Sequence, residues 1–167
     1  KSLLNGSAVI VCGFNKTRIG LNAKIRDHNE FTEHTPMIGD RVICLKNNKR
    51  SNVPLYNGAH GTVRHISKNP HLDYARSVIE MDGVNEDMFR GKMLYGAFAK
   101  EKFNSYETNP GKEVFDYGYA ITAHKSQGSE FEKVMVIEEG KYVWRENWNK
   151  WLYTAVTRSS DQLLIVG

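Results

Sequence analysis

Apolar and polar positions change rhythm twice along the chain. Residues 8 to 12, AVIVC, form a short continuous apolar run rich in β-branched residues, the pattern of a strand covered on both faces and so of a parallel sheet. Behind it, Asn15 can cap a helical segment in which Leu21 and Ile25 lie four apart and Arg18, Lys24 and Arg26 supply the polar surface. From about Pro36 to Pro110 the texture is all-β, with DRVICL, GTVRHI and ARSVIEM separated by the turn-forming pieces NNKRSN, YNGAHG, KNP and MDG. Asp82 and Gly83 carry the signal of a two-residue hairpin, while the stretch from Met93 to Asn109 fits a helix or a strand. After Gly111 the runs YGYAITA, VMVIE and QLLIVG read as further strands. Between the last two, Trp148, Trp151, Leu152, Ala155 and Val156 recur at i, i+3, i+4, i+7 and i+8, with Asn149, Lys150 and Thr154 off the stripe. That spacing predicts a helix ending near Thr157 and Arg158 and makes both tryptophans core residues.

These rhythms predict an α/β parallel-sheet domain, built from residues 1–35 and 111–167, interrupted by a small antiparallel barrel over residues 36–110. No internal repeat or low-complexity segment interrupts the pattern. The 167 residues suffice to bury a core without disulfide or metal staples. Lys1 at the start and LLIVG at the end, on a strand, mark the chain as an expected excerpt of a longer polypeptide.

Composition narrows the class. Lys and Arg total 23 against 19 Asp and Glu, a formal charge of +4, which leans mildly toward polyanionic partners. Cys12 and Cys44 stand apart without CxxC spacing, and the six histidines pair into no ligand pattern, which argues against a metal or disulfide framework and fits a reducing compartment. No apolar run has the roughly 20 residues a membrane span needs, and the start lacks a signal-peptide layout, so a soluble, cytoplasmic protein is expected.

The candidate chemistry concentrates in ITAHKSQGSEFE, residues 121 to 132, which follows a strand and holds Thr122, His124, Lys125, Ser126, Gln127, Gly128, Ser129 and Glu130. Hydroxyls, an imidazole and an ammonium suit phosphate oxygens, Gly128 permits close backbone approach, and Glu130 can accept from sugar hydroxyls. A solvated turn leading into a helix cap accounts for the same residues equally well. Arg158, by position alone, is a cation favoured by a helix C-terminus. Lys46, Lys49 and Arg50 share one loop of the middle region, with Tyr56, His60 and His65 near in sequence, so phosphate tracking and base stacking are open to it, as is simple solvation.

AITAHKSQGSEFE and LYTAVTRSSDQLLIVG resemble motifs V and VI of superfamily 1 helicases, in the branch (1B) of RecD-like and Dda-like enzymes that move 5′ to 3′ on single-stranded DNA. VIVCGFNKTRIGLNAKIRD is similar to the motif IV region of that branch, and GDRVICLKNN with LYNGAHGTV to the start of its SH3-like barrel insertion. The resemblance implies a RecA-like domain of the P-loop NTPase type, usually called 2A, with an inserted SH3-like barrel, 2B. ATP with Mg2+ would be held mainly by a RecA-like domain 1A lying elsewhere in the same polypeptide.

Residue by residue, it makes Arg158 the arginine that reaches the γ-phosphate across the interdomain cleft. Gly128 and Glu130 become nucleotide-facing, with Arg18 a second cation toward phosphate. Thr122, His124, Lys125 and Ser126, joined by Asn15 and Lys16, become contacts to the DNA. One loop would then touch both ligands, so closure on ATP could alter the grip on DNA.

The chain lacks a GxxxxGK[ST] loop and a Walker B acidic motif, so the fragment alone is expected not to hydrolyse ATP. The parent is expected to be an ATP-dependent DNA helicase of a bacterial or phage-infected cell. In relatives such a subunit belongs to the exodeoxyribonuclease V complex as its alpha-like chain, so other exonuclease V subunits are implied partners, although no nuclease carboxylate cluster stands in the chain. Two other classes stay open at this stage: a non-catalytic nucleic-acid or protein interaction module on a degenerate RecA-like scaffold, and an RNA helicase of similar architecture.

Overall fold

The computed structural model describes residues 2–83, 88–100, 111–139 and 145–167. In chain order they form β1 (Ala8–Cys12), α1 (Asn15–His28), β2 (Arg41–Cys44), β3 (His60–Ser67), β4 (Tyr74–Met81), β5 (Met88–Leu94), β6 (Phe115–Tyr117), β7 (Ala120–Thr122), β8 (Phe131–Ile137), α2 (Trp148–Val156) and β9 (Ser159–Val166). Residues 101–110, where the sequence left helix and strand open, fall outside the described residues; 93 and 94 end β5 and Tyr95–Ala97 make a 3-10 turn.

The apolar runs at the two ends of the chain combine into one parallel sheet ordered β7-β1-β8-β9, with Val11 opposite Ile121 on one side and Val136 on the other. β-branched side chains suit this central, doubly flanked position because they fill the pleated surface at little rotamer cost. Val9, Val11, Val134 and Val136 form one buried face, which α2 covers with Trp151, Leu152, Ala155 and Val156. Burial on both faces holds for β1 and fails for β9, the edge strand, whose Leu163, Leu164, Ile165 and Val166 are 43 to 52% exposed.

The middle of the chain folds as a five-stranded antiparallel sheet ordered β5-β4-β3-β2-β6. Its two edges meet at one bridge between Met93 and Glu113, where Glu113 N–H donates to Lys92 O at 2.7 Å and Leu94 N–H to Glu113 O at 3.0 Å. The sheet is therefore curled around a core of Val42, Leu55, Val63, Ile79, Phe89, Met93 and Phe115. β6 belongs to it, so antiparallel pairing continues past residue 110 to Tyr117.

Two local expectations change. YGYAITA is divided between the two sheets: Tyr117 pairs with Val42, and Ala120 with Ile10. The break falls at Gly118, where a Cβ would come within 3.0 Å of the Val42 carbonyl carbon and His60 Cδ2. β4 and β5 pair antiparallel, and residues 84–87, which follow the Asp82–Gly83 hairpin signal, fall outside the described residues. Asn15 does not cap α1: Phe14 is the N-cap, and Asn15 Oδ1 instead accepts from Arg18 Nε at 3.2 Å.

The largest correction concerns α1, whose Arg18, Asn22 and Arg26 are the buried positions rather than the polar surface. They lie four apart and so share one stripe. Arg18 Nη1 pairs with Asp116, and its Nη2 donates to Lys100 O at 2.6 Å. Asn22 exchanges two 2.9 Å hydrogen bonds with the backbone of Ala120. Arg26 pairs with Asp40 at 3.0 Å, donates to Glu33 O and Thr35 O, and lies 4.3 Å from the Tyr117 ring. Asp40 also accepts from Tyr119 Oη and from the Met37 amide, each at 2.8 Å. The carboxylates come from the antiparallel sheet and its approach, so α1 is the polar joint between the two sheets. Among the described residues no helix is long and apolar enough to cross a membrane.

Candidate functional site

The polar loop leaves the carboxyl end of β7 beside the carboxyl end of β1, the place where open parallel sheets take ligands. Its shape is set by the chain itself. Ala123 N–H donates to Cys12 O at 3.0 Å, Lys125 and Ser126 N–H both donate to Thr122 O, and Ser129 N–H donates to Ser126 O. Gly128 closes the turn at φ +83°, a conformation that disfavours any side chain. Gly58 of the antiparallel unit lies against the loop, its Cβ position 3.6 Å from Lys125 O and 3.7 Å from Ser129 Oγ.

On one side of the loop is an open cleft of about 480 Å³. Asn15, Thr122 and His124 line it, joined by Gln127, Lys150, Trp151 and Thr154. An imidazole, an ammonium, an amide and hydroxyls around one indole give both phosphate donors and a ring for stacking. Lys150, Trp151 and Thr154 were legible as residues of α2 but not as site residues. Trp151 does pack on the core, as its spacing predicts, yet it stays half-buried and lines the cleft as well. Trp148 is likewise half-buried and donates from Nε1 to Glu138 at 2.8 Å.

The predicted DNA contacts do not all converge. Lys16 is exposed on α1 and Lys125 is half-buried; neither lines the cleft. Ser126 is fully buried, and its hydroxyl donates to Ala123 O at 2.8 Å, so it shapes the loop instead of facing a ligand. Arg18, expected to meet a phosphate, is spent on Asp116, and burial raises that carboxyl above its usual range while Arg18 pulls it back.

Arg158 is held against the loop at Ser129. Its Nη1 donates to Ser129 O at 3.1 Å, Nε to Thr154 O at 3.1 Å and Nη2 to Thr157 Oγ1 at 3.0 Å. All three acceptors are neutral, and among the described residues no carboxylate pairs with this guanidinium. Gly128 and Glu130 are both exposed; Glu130 lines a second open cavity of about 490 Å³ with Ser129, Gly58, His60 and Asp82.

Two features escaped sequence reasoning. The Glu139 carboxylate reaches the first turn of α1, accepting from the amides of Gly13 and Phe14 at 2.8 and 3.0 Å and from Thr17 Oγ1 at 2.6 Å. A helix N-terminus favours an anion, and here the chain supplies its own. His60 was read beside Tyr56 and His65 as a surface ring, but it is 6% exposed and meets Phe131 edge to face at 5.1 Å. Burial, aided by Arg41, lowers its pKa from 6.5 to about 4, and it is neutral near pH 7. Both cysteines are buried free thiols, raised by burial to about 12 for Cys12 and about 11 for Cys44. Among the described residues no cluster of three side chains could hold a metal ion.

Residues 117–166, which carry β7, the polar loop, β8, α2 and β9, match the UvrD-like helicase C-terminal domain. The chain is 41% identical over 149 residues to an uncharacterized protein of Methanocaldococcus jannaschii, an alignment taking in 77% of this chain and 10% of that protein. Its fold is similar to that of the Pif1 helicase from Bacteroides in complex with ADP-AlF3 and single-stranded DNA, with a TM-score of 0.61 and 17% identity over 98% of this chain and 41% of that one. The Pif1 helicase from Candida albicans gives 0.55 and 13% over 97% and 46%. The chain thus spans about a tenth of the curated relative and less than half of each of these two helicase structures.

Proposed function

We propose that the chain is the second RecA-like domain, with its inserted SH3-like barrel, of an ATP-dependent DNA helicase of the RecD-like and Dda-like branch, moving 5′ to 3′ on single-stranded DNA. The boundaries follow the sequence division, 1–35 and 111–167 around 36–110, with β6 lending the insertion a further strand. The curled sheet whose edges meet at Met93 and Glu113 supports the barrel reading.

The observation that carries the proposal is Arg158: a guanidinium with only neutral acceptors among the described residues, bonded to Ser129 of the loop that also borders the Asn15, Thr122 and His124 cleft. A cation so held has charge to spare for a phosphate. Arg158 then meets the γ-phosphate of ATP bound by domain 1A, with Gly128 and Glu130 facing the nucleotide. Thr122, His124 and Asn15, with Lys16 and Lys125 at the margin, contact the DNA backbone. Mg2+ is held by the other domain, and Arg18 would reach phosphate only by leaving Asp116. Membership of an exonuclease V complex rests on the resemblance alone.

In the full-length parent, Arg158→Ala is expected to lower DNA-stimulated ATP turnover by about a thousandfold or more while the variant folds normally by circular dichroism. Turnover within a few-fold of wild type in a folded variant overturns the reading.

A further inference from the structure

The outer face of the antiparallel sheet carries cations that nothing above employs. Strand pairing sets Arg76 directly opposite Lys92 and Val78 opposite Arg90, and on the other side His65 opposite Val78 and Ser67 opposite Arg76. With a period of two, these side chains share one face, and Ala75, Ile79 and Phe89 point the other way into the core. A bulge between Val63 and His65 shifts the phase of β3 there, which brings His65 and Ser67 onto the outer face. The result is a shallow groove of about 420 Å³ with a half-buried Val78 as its floor and Arg76, Arg90, Lys92 and His65 around it, all four exposed.

Like charges directly opposite across two strands destabilise a sheet, so the Arg76–Lys92 pair is retained at a cost. Other cations of the same unit are neutralised: Arg64 by Glu80, Lys68 by Glu33 and Lys112 by Asp73. Among the described residues Arg76 and Arg90 meet no carboxylate, and Lys92 lies 5.1 Å from the Tyr74 ring. Three cations over an apolar floor complement a chain of phosphates carrying sugars and bases, which pack on apolar surface.

We infer that this face is a second nucleic-acid contact, gripping the phosphate backbone of single-stranded DNA outside the cleft beside β7. The inference takes DNA as the ligand from the proposed function and adds a separate surface to it. Arg76 and Arg90 each neutralise about one phosphate, so binding at this face is electrostatic and salt-dependent.

The test is fluorescence anisotropy of a labelled dT oligomer with the 167-residue chain across a salt series. Arg76→Ala with Arg90→Ala is expected to weaken binding several-fold and to lower the slope of log Kobs against log salt by about 1.4, two contacts at about 0.7 each. Arg76→Lys with Arg90→Lys restores both. The thermal midpoint of the alanine variant holds or rises because repulsion is relieved; a fall of several degrees would assign these arginines a structural role and overturn the inference.

His124→Ala separates the two sites. If it weakens binding while the arginine variant leaves affinity and slope unchanged, the outer face is excluded and the cleft reading survives. If neither variant changes binding, both fail. Tighter binding of a hairpin duplex than of dT, or of poly-glutamate with the same dependence on Arg76 and Arg90, would replace the single strand with another occupant and overturn the inference.

Discussion

The two helices packed on the parallel sheet use arginine in opposite ways. α1 buries Arg18 and Arg26 together with Asn22, and every one of these side chains is saturated by Asp116, Asp40 or backbone groups. α2 turns an apolar stripe to the core, and among the described residues its following Arg158 is anchored only to a hydroxyl and two carbonyls. A buried guanidinium is tolerable only when its charge is compensated, so α1's arginines are committed to joining the two sheets. The arginine behind α2 stays half-buried at the loop, where compensation is incomplete and an external anion can supply it.

Breaking the α1 joint should have the largest effect on stability. Asp40→Ala strands Arg26 and removes the acceptor of Tyr119 and Met37, and a loss of about 3 to 5 kcal/mol in urea unfolding is expected. A loss under about 1 kcal/mol would mean that the joint is not what holds the sheets together. Arg158→Ala, the same kind of substitution's counterpart on the α2 side, should move the unfolding midpoint far less, since only neutral hydrogen bonds go.

The seam between loop and insertion gives the next effect. His60 binds its proton with pKa about 4 when folded against 6.5 as the ordinary value. Below pH 6.5 the unfolded chain takes up a proton that the folded chain refuses. The stability held in the neutral ring is therefore whole above pH 6.5 and drains as pH falls toward 4, at about 1.4 kcal/mol per pH unit. His60→Leu should flatten that limb of the stability profile, and an unchanged limb would exclude His60 as its source.

Smaller still is the cap. Glu139→Ala leaves the amides of Gly13 and Phe14 and the Thr17 hydroxyl without their acceptor, for an expected loss of about 1 to 2 kcal/mol in the same unfolding assay. No loss would show that water caps α1 as well as the carboxylate does.

Much of the frame was legible because it depends on neighbours in the chain. AVIVC and VMVIE announce strands and the spacing from Trp148 to Val156 announces α2, since local periodicity and the face to be buried coincide, while QLLIVG announces its strand through β-branched and apolar propensity although β9 stays exposed at the sheet edge. The site was legible in part: the position of the ITAHKSQGSEFE loop followed from the strand before it, whereas the inward turn of Ser126 did not, because a serine hydroxyl in a polar loop serves a backbone carbonyl or a ligand equally well and only the folded loop buries it. α1 misled for a plainer reason. Arg18 and Arg26 are polar surface in any helical projection, and what buries them is Asp116, 98 residues away, and Asp40, beyond the helix at the approach to β2.

What the amino-acid order determined by itself was the set of elements and their apolar faces, because backbone propensity and side-chain period act within a few residues. What only the tertiary structure decided was which charges are spent and which are kept. Compensation depends on the distance between groups far apart in sequence: Asp116 meeting Arg18, Glu139 meeting the first turn of α1, and the bulged register of β3 bringing His65 beside Arg76 and Arg90. Coulomb energy falls with separation and rises with burial, and both are fixed only when the chain has folded.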